Sequence, residues 1–327
     1  MGKRRIRCLH ALGIERISGF DTRADRRAEV LSLWPEVRCY DDFETALSKG
    51  SFDAWIISVP PASHVEYMTH AVRQRTPFFV EASVVDDGLA GVISGVSEAK
   101  IVAAPSRTLC YHPAVKEIKR IVASGELGKV SNIIYHSGQY LPDWHVYESV
   151  ADYYVSKPAT GGCREILPFE LTWFTDIFGF PKRVASNFRK TISIEGAEGI
   201  DDTYNCLLDY KTHLAVITVD VVSRHATRRL MVNGSAKQLH WNWDQACVQI
   251  FDPHANSWSS HEYSMAPAAA GYNANIGEGM YIEEISAFLD AVRGTAQYPN
   301  SLEMDHRILR LLYHFEASDK SSTYAEP

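Results

Sequence analysis

The chain has 327 residues and a net charge of -7; the length fits two domains of ordinary size, and the acidic balance excludes a dedicated nucleic-acid binder, which carries a basic surplus. At 46% hydrophobic and 22% charged residues it has a globular composition, and no apolar run reaches the roughly 20 residues that span a bilayer. The 6 cysteines form no CxxC pair and the 13 histidines no HxH or HxxxH spacing, so a disulfide scaffold, a zinc ribbon and any metal site are not expected, and a reduced cytoplasm is the expected compartment.

The opening MGKRRIRCLHALG is Arg-rich and acid-poor, as a transit peptide is, but Ile6, Leu9, Ala11 and Leu12 give an apolar face and Gly13 a stop, which predicts a helix. A short strand, ERISGFD, ends at Asp21. Next come helix 23–34, strand 37–40, helix 41–50, the apolar strand 54–61, helix 63–75, strand 77–83, helix 88–99 and strand 100–106. Apolar strands alternating with helices predict a parallel sheet covered on both faces. From about Pro113 the pattern changes. After a helix at 114–125, strands are predicted at 130–141, 182–191, 203–210, 213–223, 228–234 and 237–243, with helices at 165–179, 278–293 and 303–318. Strands in succession predict an α+β domain with one large, open, mostly antiparallel sheet. The segment 252–277 reads as a long loop, either covering a site or simply solvated. Trp241 and Trp243 fall on one face of a strand. Arg224, His225, Arg228 and Arg229 read as a solvated strand end, with recognition of an acidic substrate as the alternative. Cys110 and Cys163 read as inert thiols unless a base lies beside them.

In chain order, SVPPASH (58–64), FFVEAS (78–83), YHPAVKEIKRIVASGELGKV (111–130), GQYLPDWH (138–145) and GGCREILPFELTWFTDIFG (161–179) resemble the motifs of the Gfo/Idh/MocA oxidoreductases. The resemblance implies a Rossmann-like α/β domain at 1–110 and an α+β substrate and oligomerisation domain at 111–327, whose last helices pack back on the first. That Rossmann-like domain is incomplete at its N-terminus: such a fold begins with a strand and a glycine-rich turn, whereas this chain opens at the helix, with Gly2 resembling the third glycine of the turn. We therefore expect that Met1 is an internal methionine or that the chain was cut there, and that the native mass exceeds 36.7 kDa by a strand's worth of residues.

The resemblance also implies roles. Asp21 would accept from the adenosine ribose hydroxyls, favouring NAD over NADP by charge, with Arg23 and Arg26 weakening that preference. Ser58, Pro60, Pro61 and His64 would border the cofactor, and Glu81 would lie beside the nicotinamide or play a buried structural part. Thr108, Gln139, Tyr140, Asp143 and Trp144 would contact a sugar-type substrate. The family's lysine, aspartate and histidine fall on Ala82, Ile166 and Phe169, none of which carries a proton, so the acid–base work passes to His145, Glu165 or Glu170. Glu165 and Glu170 are five apart on a helix and point about 140° away from each other. The reading is a diverged NAD(P)-dependent oxidoreductase of a sugar, polyol or nucleotide-sugar hydroxyl, homo-oligomeric through its open sheet. The alternatives are an inactive ligand-binding or regulatory relative, and a lyase or hydrolase using bound NAD transiently.

Overall fold

The first helix forms where the sequence predicts it. In a computed structural model, which describes residues 1–144, 148–268 and 276–321, α1 (Gly2–Ala11) buries Arg4, Arg5 and Cys8 and ends just ahead of Gly13, whose φ of 75° suits a residue without a Cβ. There follow β1 (Ser18–Phe20), α2 (Ala24–Leu33), β2 (Arg38–Tyr40), α3 (Phe43–Ser48), β3 (Trp55–Ile57), α4 (His64–Gln74), β4 (Phe78–Val80), α5 (Leu89–Ala99) and β5 (Ala103–Pro105). Every strand pairing here is parallel, as the alternation predicts, but the strands form two sheets rather than one: β1–β2 and β3–β4–β5. Side chains rather than backbone pairs connect the two. The Phe43 ring of α3 lies 5.5 Å from Phe20 of β1, 5.6 Å from Trp55 of β3 and 5.0 Å from Tyr67 of α4.

Beyond β5, α6 (Pro113–Ser124) starts with Pro at its first position, and the His112 ring accepts from the Ala114 N–H. It leads into β6 (Val130–Tyr140), α7 (Cys163–Phe178), β7 (Arg183–Arg189), β8 (Thr203–Asp209), β9 (Leu214–Asp220), β10 (Val222–Gly234), β11 (Gln238–Asn242), β12 (Cys247–Asp252) and β13 (Ser257–Glu262). These strands make one eight-stranded sheet in the order β13-β12-β11-β10-β6-β9-β8-β7. All its pairs are antiparallel except β6 with β9. Two expectations are corrected. β13 lies inside the segment read as a loop, because an exposed edge strand of Ser, Trp and His has no apolar alternation to reveal it. Trp243 leaves its strand for a one-turn helix, while Trp241 stays in β11 and is buried.

One face of this sheet is buried. Tyr135 and Leu230 point into a core with Leu171 and Phe174 of α7, and Trp173 of α7 meets Tyr135 and Trp241 edge-on. The other face carries Ile134, Leu207 and Leu214, all exposed. The chain closes with α8 (Glu278–Val292) and α9 (Leu302–Ser321). It divides into two units, one of residues 1–81, 88–106 and 281–302, the other of 82–87, 107–280 and 303–327. Among the described residues no helix is long and apolar enough to cross a membrane.

Candidate functional site

In the first unit the predicted cofactor residues gather at the carboxyl ends of short parallel strands. Asp21 follows β1 and is exposed; one carboxyl oxygen accepts from the Arg23 N–H at 2.8 Å, and the other has no partner among the described residues. Arg23 is engaged by Asp25, and Arg26 faces Glu29. Ser58, Pro60 and Pro61 follow β3, and Pro61 opens a single turn that hands over to α4. His64, the first residue of that helix, is buried. Its Nε2 lies 3.0 Å from the Val59 carbonyl, which can only accept, so Nε2 carries the proton and Nδ1 is a bare acceptor. That nitrogen has no partner among the described residues, and burial lowers the imidazole to about 4, so the ring is neutral at pH 7. Gly2 begins α1, where a Cβ would meet nothing within 4 Å.

Glu81 is committed elsewhere. Its carboxylate takes both prongs of the Arg5 guanidinium, at 2.8 and 2.7 Å, and the Ser58 hydroxyl at 2.8 Å. Burial raises this carboxyl, but the Arg5 charge and these hydrogen bonds outweigh it and hold it below its usual range. Arg5 reaches Glu284 of α8 at 3.0 Å, and Glu284 takes the Ser106 hydroxyl. The structure thus gives Glu81 the structural role, in a buried Arg–Glu–Glu cluster. No sequence spacing signals this cluster, since its members come from three distant segments.

In the second unit α7 carries most of the candidate chemistry. Glu170 is fully buried and accepts from Tyr135 Oη at 2.6 Å, Ser137 Oγ at 2.8 Å, Trp173 Nε1 at 2.8 Å and Arg228 Nε at 2.8 Å. Four donors leave it no lone pair for a ligand, which corrects its reading as an acid–base group. The same contact corrects the reading of Arg228 as solvated. Of its basic neighbours, Arg224 covers the Tyr140 ring at 3.7 Å and His225 faces Asp244. Cys163 is buried against the Val219 carbonyl, and burial pushes its thiol well up, so it is inert.

Glu165 is the exception. Tyr154 donates to one of its oxygens at 2.7 Å, while Oε2 is buried with no partner among the described residues. Burial raises the carboxyl to about 7, with the Tyr154 hydrogen bond pulling the other way. Tyr154 escaped sequence reasoning: it stands in a one-turn helix (Tyr154–Ser156), eleven residues from its partner, with no periodicity to mark it. Ile166 is buried, and neither it nor Phe169 ionises. Thr108 is buried too, so a ligand does not reach it without rearrangement. Gln139 and Tyr140 are half-buried at the end of β6, and Asp143 is exposed beside Trp144, whose indole N–H has no partner among the described residues. His145 lies outside the described residues.

Residues 115–240 match the family model described as the GFO/IDH/MocA C-terminal domain. Several solved structures share the fold of this chain at low identity. A levoglucosan dehydrogenase in complex with NADH is 14% identical, with 98% of this chain and 94% of that one covered and a TM-score of 0.81. An oxidoreductase from Agrobacterium radiobacter in complex with NAD+, L-tartaric acid and magnesium is 13% identical over 93% and 89%, with a TM-score of 0.79. A probable dehydrogenase from Thermotoga maritima is 18% identical over 98% and 94%, with a TM-score of 0.76. No curated protein matches the chain.

Proposed function

We propose that this protein is an NAD-dependent oxidoreductase that acts on a hydroxyl of a sugar, polyol or nucleotide-sugar. The observation that carries the reading is Asp21, a carboxylate at the carboxyl end of a parallel strand with one oxygen uncommitted. Such strand ends are where open α/β sheets bind ligands, and a carboxylate there suits two ribose hydroxyls and repels a 2′-phosphate. Arg23, already paired with Asp25, offers that phosphate little compensation. The bare Nδ1 of His64 is a second point of fit: a buried acceptor without a donor suits an amide N–H of the ligand. Asp21, Ser58, Pro60, Pro61 and His64 would hold the dinucleotide, which when bound supplies a hydride acceptor. The NADH and NAD+ complexes of the similar folds support the choice of cofactor, and the levoglucosan dehydrogenase supports a sugar-type substrate.

Fluorescence titration with NADH tests the reading. We expect micromolar binding, weakened at least tenfold in Asp21→Ala, and weaker binding of NADPH to the parent chain. A folded chain that binds neither nucleotide overturns it. One observation favours a second reading, a ligand-binding relative without turnover: Ala82, Ile166 and Phe169 cannot move a proton. Binding of NADH without reduction or oxidation of any sugar or polyol would select it. We also propose that the exposed sheet face with Ile134, Leu207 and Leu214 joins copies of the chain.

A further inference from the structure

We propose that residues 82–87 form a strap that α9 holds down through Ser83 and Asp86, and that a proton on Asp305 keeps the strap closed. This goes beyond the oxidoreductase reading and does not rest on it. The segment lies between β4 and α5 and has no helix or strand of its own. Among the described residues it makes no backbone–backbone hydrogen bond. Side chains of α7 and α9 hold it instead.

The clasp lies wholly within the second unit. His306 and Tyr313 are seven apart on α9, two turns along one face. Asp86 meets both: it accepts from the Tyr313 hydroxyl at 2.9 Å and faces His306 Nε2 at 3.1 Å. A protonated His306 makes the second contact an ion pair. Arg164 of α7, itself anchored to Glu316 of α9, donates to the Val84 carbonyl and lies 5.7 Å over the Tyr313 ring. The Ser83 hydroxyl faces the Asp305 carboxyl. Ser83, Val84 and Asp305 are all buried, whereas Asp87, the last residue of the strap, is exposed.

Asp305 sets the pH dependence. Its Oδ2 has no partner among the described residues; burial raises the carboxyl to about 7, and the Ser83 hydroxyl pulls the other way. With the strap closed, ionisation buries an unpaired charge. With the strap lifted, water reaches the carboxyl and it ionises near its ordinary 3.8. Between those two values the closed form keeps a proton that the lifted form has released. Lifting therefore becomes easier as pH rises through that window, by up to about tenfold per pH unit, and levels off above it. Loss of a proton from His306 acts in the same direction, because it weakens the hold on Asp86.

Limited proteolysis of the full chain with thermolysin, which cuts ahead of residues such as Val84 and Val85, tests the proposal between about pH 5.5 and 8. Each rate is divided by that of a free peptide of the strap sequence at the same pH, which removes the protease's own pH profile. Far-UV circular dichroism checks that every chain stays folded. We expect the first cut to fall within 82–87, with a normalised rate that rises roughly tenfold or more up to about pH 7 and then levels off. Asp305→Asn stays uncharged at every pH, so its rate should remain low and nearly flat, while His306→Gln should keep the rise. Asp86→Ala, which loses both α9 contacts, should be cut at least tenfold faster than the parent at the acid end. A first cut elsewhere, or a parent rate that is flat with pH, overturns the proposal. So does a rise that survives in Asp305→Asn.

Discussion

Asp305 carries a linkage that can be read residue by residue. It sits in the first turn of α9, buried, with Oδ2 unpartnered among the described residues and Ser83 as the group that pulls it back toward ionisation. Burial raises its carboxyl to about 7 from 3.8. The folded chain therefore keeps a proton that the unfolded chain has released, and stability falls as pH rises between those two values, by up to about 4 kcal/mol if the whole difference is felt. Asp305→Asn should be more stable than the parent at pH 8 by denaturant unfolding, and the advantage should vanish toward pH 4. Residue-level roles were only partly legible in the sequence. Asp21 could be placed because a strand end has a local signature. Glu81 could not, because its partner Arg5 and the second carboxylate, Glu284, meet it only through the fold. Glu170 was misread for the same reason: its four donors come from β6, β10 and its own helix.

At the scale of elements the helices were the most legible, since helices such as α4 and α6 bury one apolar side and several are followed by a glycine stop, such as Gly13 or Gly125, at positive φ. The strands of the first unit were found, but not how they group. Only β4 has a neighbour on both sides; β1, β2, β3 and β5 are all sheet edges. Amide hydrogen exchange should reflect this grouping. The β4 amides, from three residues with no exposed surface, should be among the slowest of the first unit, and those of β1 and β2 should exchange earlier. Equal protection across all five strands would show continuous pairing instead. In the second unit the long alternating strands announced the sheet, and the polar edge strand β13 did not.

For the molecule as a whole, the open sheet face makes an assembly prediction. Leu207 is 53% exposed and Leu214 59% exposed, on the face opposite the core. Placing a glutamate at Leu207 should cost the fold little and should shift the chain from oligomer to monomer in light scattering; a parent that is already monomeric refutes self-association through this face. The order of the chain has a consequence of a different kind, one of time. Unit one cannot be completed until residues 281–302 exist, nor unit two until 303–327 do. Domains that are continuous in sequence can fold one after another as they are synthesised. This chain has no such opportunity: Arg5 waits for Glu284, and the Ser186 hydroxyl of β7 waits for the Phe315 carbonyl of α9. Most of the nascent polypeptide must therefore be kept from aggregating before either half can close.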